Sequence, residues 1–241
     1  PIAERWPTAI GFGMAMMQSA HLQSAVDDLI AHGAKTIVLV PSGTTTDYNS
    51  LTRQWKYIFD IDDTPASYLE VPKIKAPVEF VMTEHFGAHP LITEILYEHA
   101  MAASKDPTKE MLIIVAHGPE DIADNGPDLE IISAHAERIR ARGEFADVRI
   151  INLQDDAIRP IRESNVRKLR GWVKEANERG LTPIVVALAA ASHGVQTHIR
   201  QDLRGLDYVF ADRGLSENPK YVAWMEAAIE AALARREAAA E

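Results

Sequence analysis

Two apolar runs in the second half of this 241-residue chain each lead into histidine. Met111 to Asp121 reads MLIIVAHGPED, a run that stops at His117-Gly118 with acidic residues beyond. Ala187 to Leu203 reads ALAAASHGVQTHIRQDL, a second run entering a small-residue loop with His193 and His198. A neutral imidazole can ligate a divalent ion or accept a proton, and its ordinary pKa near 6.5 leaves it largely unprotonated at pH 7. Two such groups converging on one cavity suit metal delivery or proton abstraction. The plainer alternatives are that His117 merely ends a strand, that His193 is a loop residue, and that Thr197 or His198 caps a following helix.

Other polar residues carry weaker signals. Glu84, His85 and His89 could line a cleft from the first half, although His89 beside Pro90 also fits a helix start. Arg159, Arg162, Arg167, Lys168 and Arg170 could bind substrate carboxylates, or form the solvated face of a helix. Met14, Met16 and Met17 could meet a flat apolar ligand or serve as core filler. His32, His99 and His135 fall on helical stretches without partners at ligand spacing and read as surface residues. The chain has no cysteine, which excludes disulfides, thiolate metal sites and a cysteine nucleophile. No serine stands in a G-x-S-x-G elbow, against the common serine-hydrolase form.

The elements that must position these residues are legible as β-branched runs followed by turns: Thr36 to Val40, Val78 to Met82, Met111 to Val115, Val148 to Asn152, Pro183 to Leu188 and Tyr208 to Phe210. Ala9 to Phe12 is a weaker seventh. Amphipathic helical stretches run over His21 to Ala31, Pro90 to Ala103, Asp128 to Arg142, Ile161 to Arg179 and Pro219 to Ala239, several closed by glycine. Strand and helix in alternation predict an α/β fold with mainly parallel sheets covered by helices. The crevice outside the carboxyl ends of such strands is where ligands bind, and His117 and His198 stand there.

The two halves resemble each other. AVDDLIAHGAKTIVLV and VRKLRGWVKEANERGLTPIVVAL both read helix, glycine, strand, and Pro90 and Pro219 both open a helix after a strand. Carried back by the same offset, the counterpart of His117 falls before Pro1. The expected organisation is therefore a first lobe over 1–104, lacking its first strand, and a second lobe over 110–241 that carries the site, with a hinge at Lys105 to Lys109. The formal charge of -10 and pI near 5.4 disfavour nucleic acid or an anionic membrane as partner, because repulsion opposes both encounters. No apolar run reaches the length needed to span a bilayer.

Val115-Ala-His-Gly118 and His198-Ile-Arg-Gln-Asp202-Leu203 resemble motifs of the class II tetrapyrrole chelatases, specifically the sirohydrochlorin cobaltochelatase and ferrochelatase group, and Gly87-Ala-His-Pro-Leu91 looks like that family's segment after its last strand. The resemblance implies two similar α/β lobes. It implies insertion of Co²⁺ or Fe²⁺, as substrate, into a sirohydrochlorin-type tetrapyrrole held between them, without an organic cofactor. His117 and His198 would be metal ligands or proton acceptors; His193, His85, His89 and Asp155 are the expected substrate contacts. Asp155 or Asp156 would stand for the acidic residue the family often has after the second strand of the unit. Two features depart from the family: Pro41-Ser-Gly-Thr-Thr-Thr46 contains no histidine, and Ala189-Ala-Ala191 replaces bulkier apolar residues. The alternative expectation is a non-enzymatic protein that binds a metal or tetrapyrrole on the same scaffold. A typical chelatase would be cytoplasmic, whereas the Pro1 start and the lack of cysteine leave a periplasmic location open; a homodimer is also open.

Overall fold

The computed structural model describes residues 1–11, 16–63 and 70–240, with the side chain of residue 240 excluded. The order of elements is α1 (Ile2–Arg5), α2 (Ala20–Ala31), β1 (Thr36–Leu39), α3 (Ser50–Ile58), β2 (Glu79–Met82), α4 (Pro90–Ala103), β3 (Glu110–Ala116), α5 (Ile122–Arg140), β4 (Asp147–Asn152), α6 (Arg159–Glu178), β5 (Thr182–Leu188), α7 (Val195–Asp202), β6 (Val209–Ala211) and α8 (Pro219–Ala240). Short 3₁₀ turns cover Pro107–Lys109 and Leu215–Glu217. The six stronger strand runs all form strands. Residues 9–11 of the weaker seventh lie in no strand, and residue 12 falls outside the described residues, as does Met14.

The fold is α/β, with two parallel sheets flanked by helices. One holds β1 and β2; the other has the order β4-β3-β5-β6, all pairs parallel. The chain divides into two compact units, Pro1–His85 with Val222–Glu241, and Phe86–Tyr221. By this division residues 105–109 lie inside the second unit, and α8 gives its first residues to the second unit and the rest to the first. The internal repeat is visible element by element, since α2-β1-α3-β2-α4 runs in the same order as α6-β5-α7-β6-α8. Among the described residues the first sheet has two strands against four in the second.

In the first unit Leu22 and Val26 of α2, Ile37 and Leu39 of β1, Ile58 of α3, and Phe59 and Ile74 form the buried core. In the second unit β3 is central and buried along its whole length. Its odd positions Met111, Ile113 and Val115 pack with Val185 and Ala187 of β5 against Leu169, Val173 and Ala176 of α6 and Val195 and Ile199 of α7. The even positions face the other side, where α4 and α5 cover β5 and β4. Covering a parallel sheet on both faces is what its unbroken apolar strands require. Among the described residues no helix is long and apolar enough to cross a membrane.

Two histidines expected at the surface are buried. His99 is 5% exposed and His135 fully buried. His135 lies on the face of α5 that carries Ile132, Ala136 and Ile139. Its Nε2 donates to the Gly87 carbonyl at 2.7 Å, and the Thr93 hydroxyl lies 2.8 Å from Nδ1. Burial lowers its pKa to about 4, with the Gly87 hydrogen bond acting in the opposite sense. The unfolded chain takes up this proton near pH 6.5, the folded chain only near pH 4, so unfolding absorbs a proton between the two. The stabilisation is complete above about pH 6.5 and declines as pH falls toward 4, by roughly 3 kcal/mol. Urea midpoints at pH 7.5 and 4.5 should therefore differ more for the wild type than for His135→Gln; equal differences would remove His135 as a source of acid sensitivity.

Candidate functional site

The candidate site lies at the carboxyl edge of the four-stranded sheet. His117 follows the last residue of β3, Asp155 and Asp156 lie on the loop after β4, and His198 sits on the helix after β5. Since β3 is hydrogen-bonded to both β4 and β5, the three segments leave the sheet side by side.

Gly118 makes the first turn possible. Its φ is +77°, and a Cβ there would meet the Asn152 Cβ at 2.6 Å. Only glycine combines this backbone with so close an approach. Asn152 closes β4, and its side-chain amide donates to Asn125 Oδ1 at 3.0 Å and to Asp128 Oδ2 at 2.7 Å, holding the first turns of α5 over the strand end. That helix begins at Ile122, six residues before its expected start, because Asp121 caps it by accepting from the Ala123 N–H at 2.8 Å. Pro127 lies inside the helix.

Gln154 ties the two loops together. Its side-chain amide donates to the carbonyls of Pro119 and Asp121, at 3.2 and 3.3 Å, and its Oε1 accepts from Asn165 at 3.1 Å. The Asp155 N–H donates to the His117 carbonyl at 3.2 Å. Gln154 has a φ of +54°, an uncommon conformation for a residue with a Cβ. The turn it makes leaves two successive carboxylates serving two different imidazoles.

His198 Nδ1 lies 2.9 Å from Asp155 Oδ2, and His117 Nε2 lies 3.7 Å from Asp156 Oδ2. The second separation is too long for a hydrogen bond, and it becomes an ion pair only when His117 is protonated. His117 Nδ1 also lies 2.9 Å from the Gly118 carbonyl. A carbonyl and a carboxylate only accept, so each ring donates through Nδ1–H and in its neutral form keeps the lone pair on Nε2. Both imidazoles are thus fixed in the same tautomer with the same atom free to bind a cation or a proton. Their side chains are 32% and 43% exposed, whereas the Asp155 side chain is 1% exposed and reaches a ligand only through His198.

His198 is not a cap. Gly194, with φ +86°, is the N-cap residue of α7, and Thr197 and His198 are its third and fourth residues. His193 is exposed on the preceding loop. That loop runs against the segment at the start of the 3₁₀ turn 215–217, where the N–H groups of Leu215 and Ser216 donate to the Ala189 and Ala190 carbonyls at 2.9 and 3.0 Å. The basic run on α6 is internally engaged. Arg162 meets Asp155 and Asp202, Arg170 bonds the Asp202 and Arg204 carbonyls, Arg159 and Arg167 pair with Glu163, and Lys168 lies over the Trp172 ring.

The remaining expected contacts have hydrogen-bond partners of their own. In the first unit His85 is held on both sides, its Nε2 3.0 Å from Asp47 Oδ1 and its Nδ1 3.0 Å from the Thr44 hydroxyl, and Glu84 pairs with Arg235 at 3.5 Å. In the second unit His89 caps α4, its Nδ1 accepting from the Leu91 N–H at 3.2 Å; burial and Arg138 lower its pKa. Among the described residues no three His, Asp or Glu side chains converge as a metal-ion ligand set.

No family model matches the chain, and no curated protein matches it. The solved structure of SirB from Bacillus subtilis with Fe³⁺ superposes with a TM-score of 0.62 at 12% identity, over 90% of this chain and 79% of that one. DR2241 from Deinococcus radiodurans is described as a multi-domain protein with structural similarity to chelatases and two additional novel domains. It superposes with a TM-score of 0.49 at 15% identity, over 85% of this chain and 43% of that one. The chain has a divergent chelatase-like fold, as the motifs at His117 and His198 imply.

Proposed function

From a chelatase-like fold with two tautomer-fixed imidazoles at one sheet edge, we propose that the protein inserts a divalent metal, Co²⁺ or Fe²⁺, into a sirohydrochlorin-type tetrapyrrole. The observation that carries this reading is the pair of free Nε2 atoms on His117 and His198, each ring fixed through Nδ1. Insertion of a divalent ion into a neutral macrocycle expels two pyrrole N–H protons. The reaction therefore needs a donor that presents the ion and a base that takes a proton, and a neutral imidazole does either.

The donor set supports transfer rather than storage. Structural zinc sites use four protein ligands and catalytic ones three. An ion held by one or both imidazoles is held more loosely, leaving coordination positions for the macrocycle nitrogens that must replace them. Asp155 behind the His198 ring and Asp156 beside His117 Nε2 add negative charge, which favours a cation at Nε2 and an imidazolium once a proton has been taken. Specificity between cobalt and iron rests on geometry and supply, since imidazole suits both.

The test is a spectrophotometric assay of the purified chain with sirohydrochlorin and Co²⁺ or Fe²⁺. Metallated product should form faster than in the protein-free control. Saturable binding of metal or macrocycle without product would instead support a binding protein on the same scaffold, and binding of neither would remove both readings.

A further inference from the structure

Asp202 follows His198 by four residues, one turn along α7, so the two share a helix face. It is not available as a ligand, because Arg162 occupies both its oxygens, Nη1 to Oδ1 at 3.2 Å and Nη2 to Oδ2 at 2.8 Å. The same guanidinium donates from Nε to Asp155 Oδ1 at 3.0 Å, and the other oxygen of Asp155 meets His198 Nδ1 at 2.9 Å. One planar group thus spans two carboxylates, and the chain Asp202, Arg162, Asp155, His198 returns to the helix face on which it began. Arg170 holds the end of that helix by donating to the Asp202 carbonyl.

We infer that Arg162 and Asp202 form a clamp that positions Asp155 and, through it, fixes the tautomer and orientation of His198. A carboxylate as buried as Asp155 is retained in one place only if its charge is compensated and its lone pairs are filled. Arg162 does both, and Asp202 in turn fixes Arg162 by a fork that a lysine cannot reproduce. Both residues are positioning residues. The value of a fixed His198 Nε2 rests on the metal-handling reading above, whereas the clamp itself is a statement about hydrogen bonding that holds without it.

The test uses the full chain, metal-free, as wild type, Arg162→Lys and Asp202→Asn, the second variant keeping the arginine if the first folds poorly. Side-chain ¹⁵N spectra of the histidines at pH 7.5 report which ring nitrogen carries the proton. Wild-type His198 should show a single form protonated on Nδ1, both variants should show a mixture, and His117 should be unchanged in all three. A His198 pattern identical in the variants would overturn the clamp. Arg162→Lys keeps the charge, so a role in charge balance alone would leave that pattern unmoved. In Co²⁺ titrations each variant should bind about ten-fold more weakly than wild type, as loss of a supporting hydrogen bond typically produces. The double variant should be no worse than about either single change, because the two act as one unit. Absence of Co²⁺ binding by the wild type would remove the metal reading while the tautomer shift still upheld the clamp.

Discussion

Replacing His117 and His198 together with alanine should reduce protein-dependent metal insertion to the spontaneous rate. Each imidazole presents an Nε2 lone pair at the sheet edge, and a positioned base alone contributes roughly 10²- to 10⁴-fold. Single changes should each show a large part of the loss, because an ion presented without a base, or a base without an ion, leaves the other half of the exchange unassisted. The fold should survive, since both rings are partly exposed. Product formation measured beside a thermal melt separates the two effects, and unchanged turnover in the double variant would remove these residues from the reaction.

Gly118→Ala should be strongly disruptive at the site. The added Cβ meets Asn152 Cβ at 2.6 Å and Cγ at 2.9 Å, atoms anchored close to the backbone of a buried strand and unable to swing aside. A left-handed φ costs a residue with a side chain about 1–2 kcal/mol, and forced overpacking adds about 1–3 kcal/mol. A loss of roughly 3 kcal/mol lowers the melting temperature of a chain this size by about 6–12 °C. The shift should also displace the Gly118 carbonyl that holds His117 Nδ1, so activity should fall further than stability alone explains. A melting temperature within about 2 °C of wild type would show that the turn relaxes, contrary to the contact geometry.

The parallel strands, and the loops that carry His117 and precede His198, were legible because β-branched runs such as Met111 to Val115 stop abruptly at glycine or small residues. What the residue order concealed was set by tertiary contacts. Asn125-Gly126-Pro127 reads as a helix breaker, yet α5 begins before it, held by the Asp121 cap and by Asn152. His135 looked solvent-facing in isolation, although Ile132, Ala136 and Ile139 mark its helix face as buried. Composition offers no means of choosing between Asp155 and Asp156; both are engaged, because the left-handed backbone at Gln154 lets neighbours serve different rings. The arginines of α6 suggested carboxylate recognition, but Arg162 completes a chain from Asp202 to His198 that only the packing of α6 against α7 reveals. The His198-x-x-x-Asp202 spacing was its one visible trace.

On the proposed function, the edge bearing His117 and His198 is where the divalent ion is handled. Crystals of the metal-free protein soaked in Co²⁺ and measured at the cobalt absorption edge locate the ion directly. We expect an anomalous peak about 2.1 Å from Nε2 of His117 or His198, the distance of a metal–imidazole bond. That peak should be lost in the double alanine variant. Cobalt bound only elsewhere, with this edge empty at saturating metal, would contradict the claim.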